Sequence, residues 1–562
     1  MSPRLRERLG HPSVVWFVVV LALLLALPTL DVGLIGDDLP QAAFLTAQRE
    51  GSSSASWWDM FVLVPGPRAT NLELRHAGEL PWWTDPELRV AFFRPLSVAT
   101  HHLDHRLWPE QPWAMHLHSL LWYALACALA WKVARELSSS PSAAAIAALI
   151  YAASFGHLVP VGWLAHRNGL IAAVFSFATL LAHHHWRGRA EQRAGVAPLL
   201  LLACALLAGE AGLLTLAYLI AYELVIEDGP LLERLRALAP SLALIAIWRL
   251  AYDLLGYGAQ GSGAYLDPLG APLEFARALP GRLLTLLSFC VSPPFVSDAP
   301  PGLWWLTTLT MLLGLVLFVI RGHSAQARFG VLGAALACIP LAASVPFERL
   351  LVFAGFGVAL AWGELVDRAL DRADPSRAQR VFGSLAVVLY LGVSPWLFVR
   401  EGLAMDRLGA SPEQFSSRAW PGDPELSEHT VLVVHTPNTL AFEYLDEALA
   451  LADESRPAGV WVLHAGIVEP EVERLDAQTL LVSSDAGWPS DRTTGFWRSP
   501  SQAPFVVGDQ VETEAFTATI RAVEDGRATQ VEFHFTRPLE DPSWAWLVWR
   551  EGLHRRVNSR LW

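Results

Sequence analysis

The sequence has little charge. Of its 562 residues, 17% are Asp, Glu, Lys or Arg and 53% are hydrophobic, whereas a soluble domain carries about 25% charged residues. This excludes an ordinary soluble enzyme and points to an α-helical polytopic membrane protein. Cysteine is scarce as well: Cys127, Cys204, Cys290 and Cys338 are the only four, each inside an apolar segment where a thiol packs as a small hydrophobe. They imply no disulfide framework and do not fix a redox compartment. Basic residues are outnumbered, 41 Lys and Arg against 54 Asp and Glu, and the net charge of -13 lies mostly in the last third of the chain. No nucleic-acid surface is expected. There is no fixed-period repeat and no low-complexity tract. A cleavage site is also missing: the apolar run 14–30 follows Arg4, Arg6 and Arg8 as a signal peptide would, yet no small-residue site comes after it. It reads as a retained helix.

What is present is a series of apolar runs, near 14–30, 115–135, 143–163, 169–186, 196–226, 237–255, 303–320, 328–346, 350–366 and 381–399. The stretch 196–226 is too long for one helix, and Ala-Gly-Glu-Ala-Gly at 208–212 divides it, giving about 11 transmembrane helices. With a cytoplasmic N-terminus, the basic clusters Lys132/Arg135, Arg187/Arg189/Arg193, Arg234/Arg236, Arg321/Arg328 and Arg368/Arg372/Arg377/Arg380 all fall on the cytoplasmic side. That agreement requires 283–291 to be re-entrant or interfacial, which Ser-Pro-Pro at 292–294 suits.

The chain then divides into a membrane domain, 1–400, and an extracytoplasmic soluble domain, 401–562. The outer loop 31–111 is very long for a connection, and such loops usually carry function. In the tail, 431–435, 460–464 and 479–483 read as buried strands and 442–454 as a helix. Later, Val531, Phe533 and Phe535 alternate with Glu532, His534 and Thr536 after a turn at Asp525-Gly526. The tail is expected to be an α/β unit followed by a small β unit.

Asp37 and Asp38 begin the outer loop. Gly-Asp-Asp-Leu-Pro at 36–40 is also ordinary turn composition. As a functional pair, two adjacent carboxylates repel, so that one has a raised pKa and acts as a base, or both share a divalent cation such as Mg or Mn. His101, His102, His105, His116 and His118 are the residue types of a metal site, but their spacing is not diagnostic, and they read as interfacial polar residues capping helices. Trp57-Trp58-Asp59 is similar to a motif of oligosaccharyltransferase catalytic subunits, in the wrong part of the chain for that role. Tryptophans of an interfacial belt account for it.

A longer series resembles the GT-C class of polytopic glycosyltransferases. It runs from the aspartate pair after the first span, through Arg-Pro-Leu-Ser at 94–97 and Asp104 to His116, to Trp163-Leu-Ala-His-Arg167 before another span. The segments 209–226 and 347–360 continue it. The series is similar to bacterial relatives of the protein O-mannosyltransferases and of the tetratricopeptide-bearing O-mannosyltransferases. The chain departs from them at Gly209-Glu210, where Lys-Glu is usual, and at Val159 and Gly169, where acidic residues are usual.

The resemblance implies transfer of a sugar from a polyprenyl-phosphate donor to a protein or glycan acceptor, at the outer face of a bacterial cytoplasmic (inner) membrane. It makes Asp37 the candidate base with Asp38 its neighbour. Arg167, Arg349 and Arg94 are then candidate ligands of the donor phosphate, and His116, Trp163 and Glu210 candidate substrate-binding residues. Two rival classes stay open: a transporter or flippase of lipid-linked glycans, and a catalytically inactive scaffold that binds glycans or partners through its tail. The predicted spans are almost free of charge apart from Arg249, which weighs against transport.

Overall fold

An apolar segment in lipid has to satisfy every backbone N–H and C=O internally, so the apolar runs fold as helices. The computed structural model describes residues 3–188, 195–292, 301–321, 324–370, 375–405, 424–437, 439–490, 494–550 and 553–557. Among these, six helices are long and apolar enough to cross a membrane: Val14–Asp31, Pro112–Leu137, Leu164–Arg187, Leu231–Leu254, Gly302–Ile320 and Arg377–Ala404. Pro141–Ala152 and Phe155–Gly162, bent by 51°, make a seventh if taken as one span. The count of about 11 is not reached. Val196–Ala208 and Ala325–Leu341 are apolar but shorter, and Leu214–Val225 and Gly355–Ala369 have 12 and 15 residues, against the ~20 a bilayer core requires. Trp16, Leu24, Ile247, Leu250, Leu306 and Ile320 remain exposed on the outside of the bundle. Apolar side chains outside as well as inside fit a lipid surround, and the chain is a multi-pass membrane protein.

The long run 196–226 does break near its middle: Val196–Ala208 ends at Gly209, and a short 3-10 turn, Glu210–Leu213, leads into Leu214–Val225. Residues 283–291 close the continuous 20-residue helix Pro272–Val291, which is not among the helices long and apolar enough to cross a membrane. Pro293 and Pro294, and with them Arg189, Arg193 and Arg372 of the basic clusters, lie outside the described residues.

Several helix ends are tied together by charge. Glu136 meets Lys132 and His185, each at 2.7 Å. Arg187 meets Glu223 at 3.0 Å and Glu227 at 3.3 Å, and Arg6 meets Asp367 at 3.2 Å. Elsewhere small residues decide the packing: a Cβ on Gly330 would come 2.2 Å from the Gly357 carbonyl oxygen, so these two helices touch backbone to backbone.

The outer loop folds on its own helices, Asp38–Glu50, Arg68–Ala77 and Pro95–Leu107. Its strands β1 (Val62–Val64) and β2 (Arg89–Ala91) form an antiparallel sheet with β3 (Gly258–Gln260), in the order β1-β2-β3. In the tail, β4 (Thr430–Thr436) and β5 (Gly459–Ala465) pair in parallel. The strands β6 (Glu471–Arg474), β7 (Thr479–Trp488), β8 (Gln510–Glu512), β9 (Phe516–Glu524) and β10 (Arg527–Phe535) make a second, antiparallel sheet ordered β6-β7-β10-β9-β8. The chain then returns to the first sheet: β11 (Trp544–Arg550) joins β4 in parallel and β12 (Leu553–Val557) closes the edge, giving β12-β11-β4-β5.

Two local expectations change. The run 479–483 belongs to the antiparallel sheet. The segment 442–454 is two short helices, Leu440–Glu443 and Leu445–Leu451, interrupted at Tyr444. The hairpin at Asp525-Gly526 forms with φ of 49° and 77°, as an inverse turn requires.

Loop and tail share one core. Trp82, Trp83, Leu88 and Val90 of the loop are buried with Trp488, Phe516 and Phe533 of the tail. The Trp82 ring lies 5.4 Å from Phe533, edge to face, and its indole N–H donates to the Leu463 carbonyl at 3.0 Å. This packing sets the tail over the start of the loop, beside Asp37.

Candidate active site

A cavity of ≈ 350 Å³ opens where the outer loop, β3 and the loop-facing ends of the helices meet. Its wall carries Asp37, Arg94, Glu210 and Arg349. Much of the rest is apolar, with Leu213, Leu214, Leu266, Leu269, Leu341 and Phe353.

The adjacent aspartates part company. They sit at the start of helix Asp38–Glu50, where successive side chains diverge by about 100°. Asp38 turns into the protein: its Oδ1 accepts from the Ala165 N–H at 2.6 Å and its Oδ2 from the Ile35 N–H at 3.1 Å. Burial nevertheless pushes its carboxyl up to about 7. Asp37 faces the cavity. Its Oδ1 accepts from the Tyr444 hydroxyl, and its Oδ2 has no hydrogen-bond partner among the described residues. Burial raises the Asp37 pKa above the usual carboxylate value, opposed by the Tyr444 hydrogen bond and by the charges of Arg349 and Arg94.

The three candidate arginines have three fates. Arg349 lies on the short turn Glu348–Leu351, its guanidinium 5.0 Å from the Trp163 ring and 4.4 Å from the Phe347 ring. It makes no ion pair among the described residues, and its Nε is buried without a hydrogen-bond partner. Trp163 is held for this contact by its own indole N–H, which donates to the Ile35 carbonyl at 3.0 Å. Arg94 is paired: its Nε meets Glu210 Oε2 at 2.8 Å, and its guanidinium stacks on Phe92 and Phe61 at 4.4 and 4.8 Å. Glu210 Oε1 accepts from the Tyr252 hydroxyl at 3.0 Å. Gly209 beside it is tightly packed, because a Cβ there would lie 2.9 Å from Asn168 Nδ2 and the amide would have to shift.

Arg167 is corrected outright. It is fully buried, away from the cavity, with Nη1 on Asp104, Nη2 donating to the Met115 carbonyl at 2.7 Å and Nε donating to Ser119 at 2.8 Å. Three of its five N–H groups are used in this way, and the buried head group does not line the cavity in which a phosphate would sit. His116 is corrected likewise: it is buried against the Gly33 carbonyl at 2.8 Å and holds the loop start in place. Asp37, Arg94, Trp163, Glu210 and Arg349 thus share the cavity, while Asp38, Arg167 and His116 support it from behind.

A divalent cation fits the aspartate pair poorly. Both Asp38 oxygens are taken by backbone N–H groups, and no group of three or more His, Cys, Asp or Glu gathers into a metal site among the described residues. The histidines disperse: His118 pairs with Asp104 at 2.6 Å, His105 with Thr46 at 3.2 Å, and His102 with the Trp57 carbonyl at 3.0 Å. Trp57 and Trp58 are exposed, and Asp59 accepts from the Tyr257 hydroxyl at 2.6 Å, outside the cavity.

Sequence reasoning missed Tyr444, Tyr252 and Tyr265. Tyr252 and Tyr265 line the cavity, and Tyr444 reaches Asp37 across 407 residues of chain. No local pattern marks them, since their role depends on how the tail and β3 pack.

No protein-family description and no curated protein matches the chain. Among solved structures it is similar to the oligosaccharyltransferase AglB of Archaeoglobus fulgidus in complex with an inhibitory peptide and a dolichol-phosphate, with 12% identity and a TM-score of 0.43 over 80% of this chain and 65% of that one. A second structure of the Archaeoglobus fulgidus oligosaccharyltransferase, tethered to an acceptor peptide, aligns with 12% identity and a TM-score of 0.37 over 79% of this chain and 64% of that one. ArnT from Cupriavidus metallidurans bound to undecaprenyl phosphate aligns with 15% identity and a TM-score of 0.37 over 92% of this chain and 97% of that one. The chain spans a little under two thirds of the length of the archaeal enzyme.

Proposed function

We propose that the protein is a GT-C-type membrane glycosyltransferase that moves a sugar from a polyprenyl-phosphate carrier to a hydroxyl of a protein or glycan acceptor. The observation that carries this reading is the pairing, in one cavity, of a half-buried carboxylate, Asp37, with a guanidinium that has no ion-pair partner among the described residues, Arg349. The apolar wall suits a lipid chain, the cation suits its phosphate, and the carboxylate suits deprotonation of an acceptor.

In this reading the acceptor hydroxyl gives its proton to Asp37 as its oxygen bonds to the anomeric carbon. The bond from that carbon to the phosphate oxygen breaks, and its electron pair leaves with the polyprenyl phosphate. Arg349 holds the phosphate before and after transfer, while Arg94, neutralised by Glu210, shapes the wall beside it. Residues 1–400 form the membrane unit and 401–562 the outer unit, in a bacterial cytoplasmic membrane with the N-terminus inside.

The test is glycan and glycoprotein analysis of a deletion strain complemented with the wild-type chain or with Asp37→Asn. Loss of one modification on deletion, restored only by the wild type, is the expected result. An unchanged glycan profile on deletion would overturn the reading.

A further inference from the structure

The Asp37 carboxylate receives its one hydrogen bond among the described residues from the far end of the chain, where Tyr444 interrupts a helical segment of the tail. We infer that Tyr444 is a positioning residue: it clamps Oδ1 of Asp37 so that Oδ2 alone is presented to the acceptor hydroxyl, and the tail thereby completes the active site. This rests on the reading of Asp37 as the base.

Three observations carry it. Tyr444 is fixed on both sides in sequence: the Glu443 carboxylate before it accepts from the Trp497 indole N–H at 2.9 Å, and Leu445 after it is buried in the tail core with Leu449 and Val433. The Tyr444 ring also lies over Gly36, whose φ of +51° turns the chain into Asp37; a Cβ there would sit 3.8 Å from Tyr444 Cε2 and 3.7 Å from the Trp163 ring. Finally, Asp37 borders the cavity with Oδ2 free of any partner among the described residues. A hydroxyl that donates to one oxygen fixes the rotation of the carboxylate and favours its ionised form, while leaving the other oxygen to take a proton. The group transfer is the one already written, with the acceptor proton passing to Oδ2.

The test uses full-length protein in lipid nanodiscs, wild type against Tyr444→Phe and Asp37→Asn. The donor is an organic-solvent extract of polyprenyl-linked sugars from the source cells, and the acceptor is membranes of the deletion strain. Tyr444→Phe removes one oxygen atom. It is expected to lower kcat on the order of 10-fold with donor KM unchanged. It should also move the acid limb of the rate profile to higher pH, because burial of Asp37 is then opposed only by Arg349 and Arg94. Asp38, Glu443 and Tyr265, the other titratable groups facing Asp37, are the same in both proteins. The position of the limb does not depend on how much protein folds. Wild-type kcat and limb in Tyr444→Phe, with Asp37→Asn inactive, would remove Tyr444 from the site and leave Asp37 as the base. Activity in Asp37→Asn would overturn both readings.

Discussion

Arg349 lies over the ring of Trp163, guanidinium to centroid 5.0 Å, while that tryptophan donates to the carbonyl of Ile35, two residues before Asp37. The cation and the carboxylate of the cavity are therefore registered to each other through one indole. Stacking replaces the acidic partner that a buried arginine usually has, and leaves the charge available to a ligand.

Removing that charge should weaken phosphate binding. Arg349→Ala is expected to raise the Kd for undecaprenyl phosphate on the order of 10- to 100-fold, the loss of a hydrogen bond to a charged group. Arg349→Lys keeps the charge but loses the planar stack on Trp163, and should fall between the two. Binding to protein in detergent, measured by a thermal-shift series, checks both.

The two aspartates should separate by phenotype. Asp37→Asn keeps the shape and removes the proton acceptor, and is expected to cost about 100- to 10,000-fold in transfer rate with no loss of melting temperature. Asp38→Ala instead leaves the Ile35 and Ala165 N–H groups without acceptors, and should lower stability by about 1–3 kcal/mol for each. Their pH effects differ too. Transfer needs ionised Asp37, so it fails as pH falls through a pKa raised above the usual carboxylate range. Asp38, raised from 3.8 to about 7, contributes stability that is full below its unfolded value and is lost as pH rises through about 7. Melting temperature against pH, for the wild type and Asp38→Asn, measures that slope.

Arg167 should behave as a scaffold residue. Arg167→Ala leaves the buried Asp104 with His118 as its remaining partner, and removing one member of a buried ion pair typically costs about 3–5 kcal/mol. The expected outcome is poor expression and a low melting temperature, with unchanged undecaprenyl phosphate affinity in whatever protein folds. A well-folded variant with lost affinity would return Arg167 to the cavity.

The shared core of loop and tail predicts that damage to one loosens the other. Trp82→Ala in the full chain should destabilise the outer unit by about 3–5 kcal/mol. Limited proteolysis should then cut within 424–557 at protease concentrations the wild type withstands, and transfer activity should fall because Tyr444 is carried by that unit.

The sequence by itself determined the elements whose cause is local. Long apolar runs became helices because a backbone in lipid has no other partner for its polar groups, and the run 196–226 divided at Gly209, in an Ala-Gly-Glu-Ala-Gly stretch whose two glycines weaken a helix. Strands β4, β5, β7 and β10 were legible where apolar residues clustered or alternated, whereas β9 and the equally apolar β11 were not read as strands. The resemblance placed Asp37, Arg94, Trp163, Glu210 and Arg349 in the site, and the fold brings these five to one cavity. Spacing could not say which way a side chain turns. Asp37 and Asp38 have the same chemistry and adjacent positions, yet one helical step sends one to the cavity and the other to two backbone amides. Arg167 opens a helix and Arg349 lies on a turn just before one, yet the first found Asp104 and the second, among the described residues, aromatic rings. The tail's return to its own first sheet, and Tyr444 on Asp37, depend on contacts hundreds of residues apart, which only tertiary packing decides.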